Sequence, residues 1–553
     1  MPARSPGSAP DPGATDPEPD FSISVPEFYN FGYDVVDAWA AKEPDRAALL
    51  WVNQQGEEKR FSFRDMKIKS DSAAHLLQEC GIVKGDRVFV MLPRIPEWWI
   101  LVVALIKLGA VYTPAPTLLT PHDISYRLRI GGFALVITDP GNAHKVQEAV
   151  REGSLDTKCM IVDGQLPGWI SYSDEMIRHS SQAPAEGNRI SGTTRSSDPL
   201  LVFFTSGTTG NPKMVLHDHS YPLGHIVTAR LWQDLKKSDL HFTLSDTGWA
   251  KSAWGNLFGQ WIEGSAVFIY DIRGKFDASE IPPLLEKYAI TTFCCPPTIY
   301  RMLILLDLRE YDLSRLRRCV SAGEPLNPEV IRVWKEKTGL TIYEGYGQTE
   351  TVLCIGAFPG RECPPGSMGI PAPGWRIELH DRHGRPVGVN REGRIAISLH
   401  PRPVGLFSGY LENEAANRKS FEKGWYYTDD KAAMDEEGYF WFIGRDDDVI
   451  KASGYRIGPF EVESALLEHP AVAEAAVVGS PDPIRGQIVK AFVVLKPGFL
   501  PSWQLVTDLQ EHVKSVTAPY KYPRAIEFLD SLPKTHSGKI RRNELREREE
   551  RKR

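Results

Sequence analysis

The sequence lacks an apolar run long enough to cross a membrane, which argues against an integral membrane protein. Among its 553 residues the most apolar run, from Trp98 to Ile106, stops at Lys107, at about half of the ~20 residues that a spanning helix needs. The first 20 residues contain four acidic residues and no apolar segment, which is untypical of a secretory signal or a mitochondrial presequence. We therefore expect residues 1–20 to form a disordered tail and the protein to be cytoplasmic.

Paired cysteines and excess positive charge are also missing. The seven cysteines are odd in number and include no C-x-x-C pair, so they indicate neither a disulfide framework nor a zinc site, and we expect buried, reduced thiols. The net charge of −6 does not favour nucleic-acid binding, which usually needs a basic stripe. We interpret His217, His219 and His225 as polar packing rather than as a metal site.

Strand and helix patterns alternate through most of the chain. Apolar residues recur at helical spacing from Met66 to Cys80, and strand-like runs lie at residues 87–92, 134–138 and 200–204. This alternation favours an α/β fold with largely parallel sheets. Residues 160–198 are polar and weakly patterned, which predicts a surface excursion. From residue 366 to 443, short strands between Gly and Pro turns predict a β-rich subdomain.

A domain boundary is predicted at residues 444–448, where three consecutive acidic residues favour an exposed linker. A chain of this length is too long for one core. We expect a large N-terminal domain over residues 21–444, made of two α/β layers and the β-rich subdomain. A hinge over residues 445–448 and a small α+β domain over residues 449–553 would follow. The end of the chain, from Arg541, is expected to be a solvated helix.

The strongest local motif is Thr205-Ser-Gly-Thr-Thr-Gly-Asn-Pro-Lys213, which follows an apolar strand. Its glycines allow close backbone approach to an anion, its hydroxyls add hydrogen-bond donors, and Lys213 adds a positive charge. These features predict a triphosphate site. A Walker A loop is excluded, because Asn211 and Pro212 separate Gly210 from the lysine.

The same string resembles the signature loop of the adenylate-forming superfamily, which includes acyl-CoA synthetases, luciferases and the adenylation domains of peptide synthetases. Further strings resemble that family in the expected order, and the resemblance covers residues 21–545. They are Ser321-Ala-Gly-Glu-Pro325, Tyr343-Glu-Gly-Tyr-Gly-Gln-Thr-Glu350, Trp425-Tyr-Tyr-Thr-Asp-Asp430, Gly444-Arg-Asp-Asp447, Lys451-Ala-Ser-Gly-Tyr-Arg-Ile-Gly458 and Pro533-Lys-Thr-His-Ser-Gly-Lys539. The similarity is greatest to medium-chain acyl-CoA synthetases.

The resemblance implies a set of ATP-binding residues. They are Thr205, Ser206, Gly207, Thr208, Thr209, Gly210, Lys213, Gly323, Glu324, Pro325, Glu344, Gly345, Tyr346, Gly347, Gln348, Thr349, Asp430, Arg445, Arg456 and Lys539.

The resemblance implies catalytic roles for three residues of that set, Thr205, Lys213 and Lys539, and for Glu350, which lies outside it. Tyr346 would stack on adenine, Thr349 would donate to the α-phosphate, Glu350 would hold Mg²⁺, and Asp430 would accept from both ribose hydroxyls. One position departs from the family pattern, because Asp429 stands where the usual residue is Gly.

The resemblance also implies two half-reactions. An acid and ATP would form an acyl-adenylate and pyrophosphate, and coenzyme A would then displace AMP. The small domain would be mobile and would rotate about Asp447 between the two steps. Ser453, Gly454 and Tyr455 would contact coenzyme A.

The acyl group is expected to be larger than acetyl. We call the string Tyr343–Glu350 the central motif. Short-chain acetyl-CoA synthetases carry Trp at the position of this motif where this chain has Gly347, so the acyl pocket should be deep. Trp249 is expected to shape the pocket, whereas Lys251 either lies near the pocket or faces water, and we favour the second. Medium-chain, branched and aromatic acids all remain open.

Two other functions fit parts of the sequence. An adenylation enzyme that loads a carrier protein would share the first half-reaction, and a catalytically dead nucleotide-binding scaffold would keep only the fold. The expected partners are a small carboxylic acid, ATP and coenzyme A. The oligomeric state stays open, a homodimer being one option.

Overall fold

The structure is a computed structural model that describes residues 21–180, 193–205, 212–445, 448–452, 455–482, 486–534 and 540–551. For residues 179, 180, 451, 455, 456 and 519 it describes the backbone only. Several predicted site residues lie outside the described residues: Ser206, Gly207, Thr208, Thr209, Gly210, Asp447, Ser453, Gly454 and Lys539. The side chains of Tyr455 and Arg456 lie outside them too.

Two sheets, mostly of parallel strands, form the body of the large domain. The first has eight strands, in the spatial order Gly409–Tyr410, Lys213–Asp218, Pro199–Thr205, Val111–Pro114, Arg87–Met91, Leu135–Thr138, Lys158–Ile161 and Ile170–Ser171. The second has nine strands, in the order Ile370–Pro371, Ile355–Gly356, Ile342–Tyr346, Arg318–Ala322, Thr292–Cys294, Leu240–Thr243, Ala266–Asp271, Ala47–Asn53 and Glu58–Ser62.

Two further sheets complete the molecule. A mainly antiparallel third sheet contains Ile377–His380, Gly393–Ser398, Trp425–Met434, Phe421–Glu422 and Phe440–Arg445. The fourth sheet belongs to the small domain and contains Tyr455–Ile457, Ile450–Ala452, Gly486–Leu495, Val472–Asp482 and Ala525–Phe528. The predicted α/β fold, with a large N-terminal and a small C-terminal domain, is therefore confirmed.

Helices cover the sheets. They are Ala38–Lys42, Phe63–Glu79, Pro96–Leu108, Pro121–Gly131, Pro140–Gly153, Tyr172–Ser180, Tyr221–Ile226, Ala250–Gly255, Phe258–Ile262, Ile281–Lys287, Pro297–Leu303, Pro328–Thr338, Glu414–Ser420, Pro459–Glu468, Trp503–Val516 and Arg542–Glu550. Local chemistry fixes several of their ends: Ser62 and Asp65 form a reciprocal cap at the start of Phe63–Glu79, and left-handed Gly109 ends Pro96–Leu108.

The apolar helix Pro96–Leu108 lies in the core of the large domain. Its Lys107 is fully buried and donates to Asp37 at 2.7 Å and to Asp71 at 2.6 Å, which satisfies a charge that burial would otherwise make costly. Among the helices of the described residues, none is both long enough and apolar enough to span a bilayer.

Two expectations about surface segments are wrong. The stretch predicted as a polar excursion contains the helix Tyr172–Ser180, whose Tyr172 is buried and whose Met176 packs on the main core. The terminal helix Arg542–Glu550 is not simply solvated, because Leu545 and Glu549 are buried. Glu549 accepts from Lys490 at 2.8 Å on the fourth sheet, so paired charges lie between the helix and the sheet.

Candidate active site

A cavity of about 890 Å³ lies where the carboxyl ends of the two mainly parallel sheets meet. Its lining follows strand after strand: Arg94 comes after Arg87–Met91, Asn142 after Leu135–Thr138, and Asp246 after Leu240–Thr243. Open α/β sheets bind their ligands at this edge. The fold alone therefore selects this cavity as the candidate active site.

A smaller cavity of about 100 Å³ adjoins the first. The two have several lining residues in common, namely Gly323, Glu324, Gly347, Asp430 and Arg445. Every predicted nucleotide or acyl-pocket residue whose side chain is described, or whose backbone is described in the case of glycine, lines one or both cavities. The structure thus brings the described site residues between Thr205 and Arg445 together around one space. Their individual binding roles stay predictions.

The predicted phosphate loop connects two antiparallel strands at the cavity wall. Thr205 ends the strand Pro199–Thr205 and pairs with Lys213, which begins the next strand. Both residues line the larger cavity. The Lys213 ammonium lies 4.8 Å from the centroid of the Tyr410 ring, a cation–π contact that directs its charge along the cavity wall.

Hydrogen bonds fix several residues of the central motif, Tyr343–Glu350. Gln348 donates through Nε2 to Asp430 at 2.7 Å and accepts from the Tyr426 hydroxyl at 3.0 Å. Glu350 accepts from the Tyr410 hydroxyl at 2.8 Å. Burial raises the pKa of the Glu350 carboxyl, whereas the Tyr410 hydrogen bond and the Lys213 charge lower it.

Thr349 is fixed by a histidine that the sequence did not single out for this task. His217 donates from Nε2 to the Thr349 carbonyl oxygen at 2.8 Å. Burial lowers the pKa of His217 to about 3, so the ring stays neutral. Because His217 lies four residues after Lys213 on the same strand, this bond ties the strand that follows the phosphate loop to the central motif.

Asp430 lies where the third sheet approaches the nucleotide motifs. It accepts from the Tyr346 hydroxyl at 2.7 Å and pairs in register with Arg445. Its neighbour Asp429 has a φ of 61°, the left-handed region in which Asp is tolerated better than most residues. The turn therefore keeps the backbone conformation that glycine would favour, and Asp429 pairs with Lys419 at 3.6 Å.

The string Ser321–Pro325, which we call the adenine-turn string, lies at the junction of the two cavities. Gly323 has a φ of 105°, which favours glycine. Glu324 accepts from Thr298 at 3.3 Å and pairs with Arg301 at 3.6 Å. Pro325 lines the smaller cavity.

Glu344 is a buried acid that lines the smaller cavity. One of its carboxyl oxygens accepts from the Leu326 amide at 2.9 Å, and the other is buried without a hydrogen-bond partner among the described residues. Burial raises the pKa of Glu344 to about 8. The side chain therefore presents a polar atom to a largely desolvated space.

The acyl-pocket prediction needs a correction. A Cβ added at Gly347 would lie 2.4 Å from Trp254 Cη2 and 2.6 Å from the Val352 carbonyl oxygen. The space that glycine leaves is therefore occupied by a second indole, which comes from the helix Ala250–Gly255. Trp249 lines the same cavity as predicted.

Of the two alternatives for Lys251, the structure shows the one near the pocket. Its ammonium donates to the Ala322 carbonyl oxygen at 2.8 Å, and the residue lines the cavity. Trp254, which the sequence reasoning did not single out, lies three positions after Lys251, and this spacing alone did not show which side chains turn inward.

The small domain reaches the larger cavity through Lys534, which pairs with Glu474 at 2.6 Å. Lys534 also forms a β-bridge with Ile540. These two residues flank the segment that carries Lys539. At the predicted hinge, Asp448 is not an exposed linker residue, since it is paired with Arg546.

Comparison with known proteins agrees with this geometry. The sequence pattern of the AMP-binding enzymes matches residues 36–411, and that of the AMP-binding enzyme C-terminal domain matches residues 461–539. The chain therefore belongs to the AMP-binding enzyme family.

Within that family the chain is an acyl-CoA synthetase, a ligase. It is 48% identical to the acyl-coenzyme A synthetase ACSM3 of Rattus norvegicus over 96% of this chain and 92% of that protein. Among solved structures, it is similar to the anthranilate CoA ligase AuaEII bound to anthranoyl-AMP, with a TM-score of 0.86, 30% identity, and coverage of 95% and 98%. A benzoate CoA ligase from Burkholderia xenovorans has a TM-score of 0.81 and 27% identity, with coverage of 94% and 100%.

The same comparison overturns the expected cellular location. The ACSM3 relatives from rat and human are named as mitochondrial proteins. The prediction of a cytoplasmic protein, which was based on the composition of the first 20 residues, is therefore wrong, and the relatives point to mitochondria instead.

Proposed function

We propose that this acyl-CoA synthetase activates a medium-sized carboxylic acid, of the medium-chain, branched or aromatic class, in two half-reactions at the larger cavity. One observation carries the proposal: residues from strings as distant as Thr205, Thr349, Asp430 and Lys534 line a single cavity. Convergence of this kind supports the binding of one nucleotide beside one acid.

In the first half-reaction, a carboxylate oxygen of the acid attacks the α-phosphorus of ATP and pyrophosphate leaves. Lys213 and Thr205 line the cavity and would face the phosphates, and Thr349 is held by the His217 bond to its carbonyl oxygen. Fixed donors of this kind stabilise developing negative charge without reorganising. Lys539 is proposed to add the final positive charge.

Glu350 suits a magnesium ion. Its buried carboxylate faces the cavity and keeps its orientation through the Tyr410 hydroxyl, and carboxylate oxygen is the ligand that this hard cation prefers. When bound, the ion would neutralise charge on the phosphates. Tyr410 would hold the carboxylate in place throughout the reaction.

In the second half-reaction, the coenzyme A thiolate attacks the acyl carbonyl and AMP leaves. We propose that the small domain turns about Asp447 for this step and presents Ser453, Gly454 and Tyr455 to the pantetheine. The proposed path of that chain runs through the larger cavity, which Leu118 and Phe276 also line.

The size of the acid is proposed to be set by Trp254. Because this indole lies against Gly347, it closes the pocket at the point where the sequence alone predicted open space. The pocket is still proposed to accept more than acetate, because the cavity that Trp254 lines has a volume of about 890 Å³. The structural neighbours named for anthranilate and benzoate support acids of moderate size.

The test is acid-dependent pyrophosphate release over a panel of straight-chain, branched and aromatic acids, with acyl-CoA identified by mass spectrometry. We expect release with medium-sized acids and formation of their thioesters. A parallel reaction with a phosphopantetheinylated carrier protein separates the two acceptors. Pyrophosphate release without acyl-CoA would contradict the proposal.

A further inference from the structure

The smaller cavity has walls from both domains. Its N-terminal walls are the adenine-turn string and the strand Ile342–Tyr346, so that Glu324, Glu344 and Tyr346 all line it. The opposite walls belong to the small domain: Pro459 and Phe460 start its first helix, and Arg542 starts its last. The predicted purine site is thus bounded on one side by a domain that is proposed to move.

The small-domain residues that line the smaller cavity are fixed to the rest of that domain. Arg542 donates from Nε at 2.9 Å and from Nη2 at 2.5 Å to the carboxylate of Glu463, which lies on the helix Pro459–Glu468. The same helix buries Val462 and Leu466 in the core of the small domain. Phe460 and Arg542 therefore move together whenever the domain moves.

The two domains press closely together beside this cavity. A Cβ added at Gly458 would lie 2.4 Å from the Ile443 carbonyl oxygen. Asn327 donates to the Ser464 carbonyl oxygen at 3.2 Å across the domain boundary. The two domains are thus in close contact here, and Phe460 and Arg542 lie at the predicted purine site.

A planar aromatic ligand suits this space. Tyr346 and Phe460 are aromatic, and Met368 and Phe442 add apolar surface. Glu344, which has one buried carboxyl oxygen without a hydrogen-bond partner among the described residues, lines the same cavity, and the Arg542 cation can lie against a π-system. A purine offers both the flat face and the polar edge that such walls recognise.

We propose that the small domain completes the purine end of the nucleotide site through Phe460 and Arg542, so that ATP binding favours the domain orientation seen here. This inference rests on the proposed function, since it takes the smaller cavity as the place of the adenine. A rotation of the small domain would withdraw both residues, and the adenylate in the second half-reaction would then be held by the N-terminal walls alone. The two half-reactions therefore differ in their dependence on Phe460.

The experiment measures ATP affinity by calorimetry in the Phe460→Ala variant of the full-length protein. Loss of an aromatic contact is worth about 1 kcal/mol, and we expect the dissociation constant for ATP to rise about five- to tenfold. The measurement needs no acid and no turnover, so a failure of acyl-CoA synthesis would leave it intact. An unchanged ATP dissociation constant would overturn the inference.

Kinetics of the separate half-reactions supply the second readout. In Phe460→Ala we expect the KM for ATP in pyrophosphate exchange to rise by the same factor, with the KM for supplied acyl-adenylate in thioester formation unchanged. Equal losses in both half-reactions would also overturn the inference, because they would indicate general damage to the site.

Two further variants control for folding and for charge. Phe499→Ala removes a ring of the same domain that is 44% exposed and lines neither cavity, and it should leave both half-reactions as they are. Arg542→Lys keeps a positive charge beside Glu463 but loses the bidentate fork. It should weaken ATP binding while leaving thioester formation from supplied adenylate unchanged; an ATP affinity equal to that of the wild type would count against the role of Arg542.

Discussion

Replacing Trp254 by alanine is the sharpest test of how the acid is chosen. The indole is 6% exposed and lies against Gly347, so its removal should lengthen the acyl pocket. Each additional buried methylene contributes about 0.8 kcal/mol, which is roughly a fourfold gain in kcat/KM. For an acid three methylenes longer than the one the wild type prefers, the variant should therefore have a kcat/KM about 60-fold higher than the wild type.

The assay is pyrophosphate release with straight-chain acids of increasing length. Loss of a buried Trp costs about 3–5 kcal/mol of stability, so the melting temperature of each variant must be recorded first. Trp334→Ala is the matched control, because this indole is equally buried but lines neither cavity. A folded Trp254→Ala protein with the wild-type chain-length profile would refute the reasoning.

The same contact changes what is expected of Gly347. The sequence alone predicts that Gly347→Trp shifts preference toward acetate. The structure predicts loss of activity with every acid, since even a Cβ would lie 2.6 Å from the Val352 carbonyl oxygen, a backbone atom that cannot swing away.

Three other predictions concern the nucleotide site. Lys539→Ala should abolish pyrophosphate release yet spare thioester formation from supplied acyl-adenylate, whereas Lys514→Ala, on the surface of the same domain, should affect neither; equal loss of both steps would exclude the proposed role of Lys539. Glu344 has a folded pKa of about 8 against 4.5 for the ordinary group. Its contribution to stability is complete below pH 4.5 and is lost as the pH rises toward 8, at about 1.4 kcal/mol per pH unit. Glu344→Gln should therefore flatten the fall in melting temperature over that window, and parallel profiles for the two proteins would contradict this. Asp429→Gly should change the free energy of unfolding by less than about 1 kcal/mol, because relief of left-handed strain is offset by the freedom of glycine in the unfolded chain; a several-fold change in the KM for ATP would show that Asp429 does more than form the turn.

Local patterns predicted the elements well where one physical rule dominated. The strand at Arg87–Met91 and the helix from Pro96 follow from an unbroken apolar run and from Pro at a helix start. The helix Tyr172–Ser180 was missed because its apolar residues are few, and only contact with the core shows that they are buried.

The sequence predicted which motif residues form the site, but not which other side chains contact them. Motif strings indicated which residues would meet a nucleotide, and those that the structure describes do converge. The sequence could not show that Trp254 meets Gly347, because the two are 93 positions apart and belong to different elements. Nor could it show that His217 supports Thr349, since that bond depends on the register of a strand against a loop.

The short helix Ala250–Gly255 supplies both Lys251 and Trp254 to the cavity, while the phosphate-facing groups come from other segments. Under the proposed function, selection of the acid and activation of the acid would thus depend on different segments of the chain. In such a protein, substitutions within the six-residue helix Ala250–Gly255 could change the acid specificity while the residues that bind ATP stay the same.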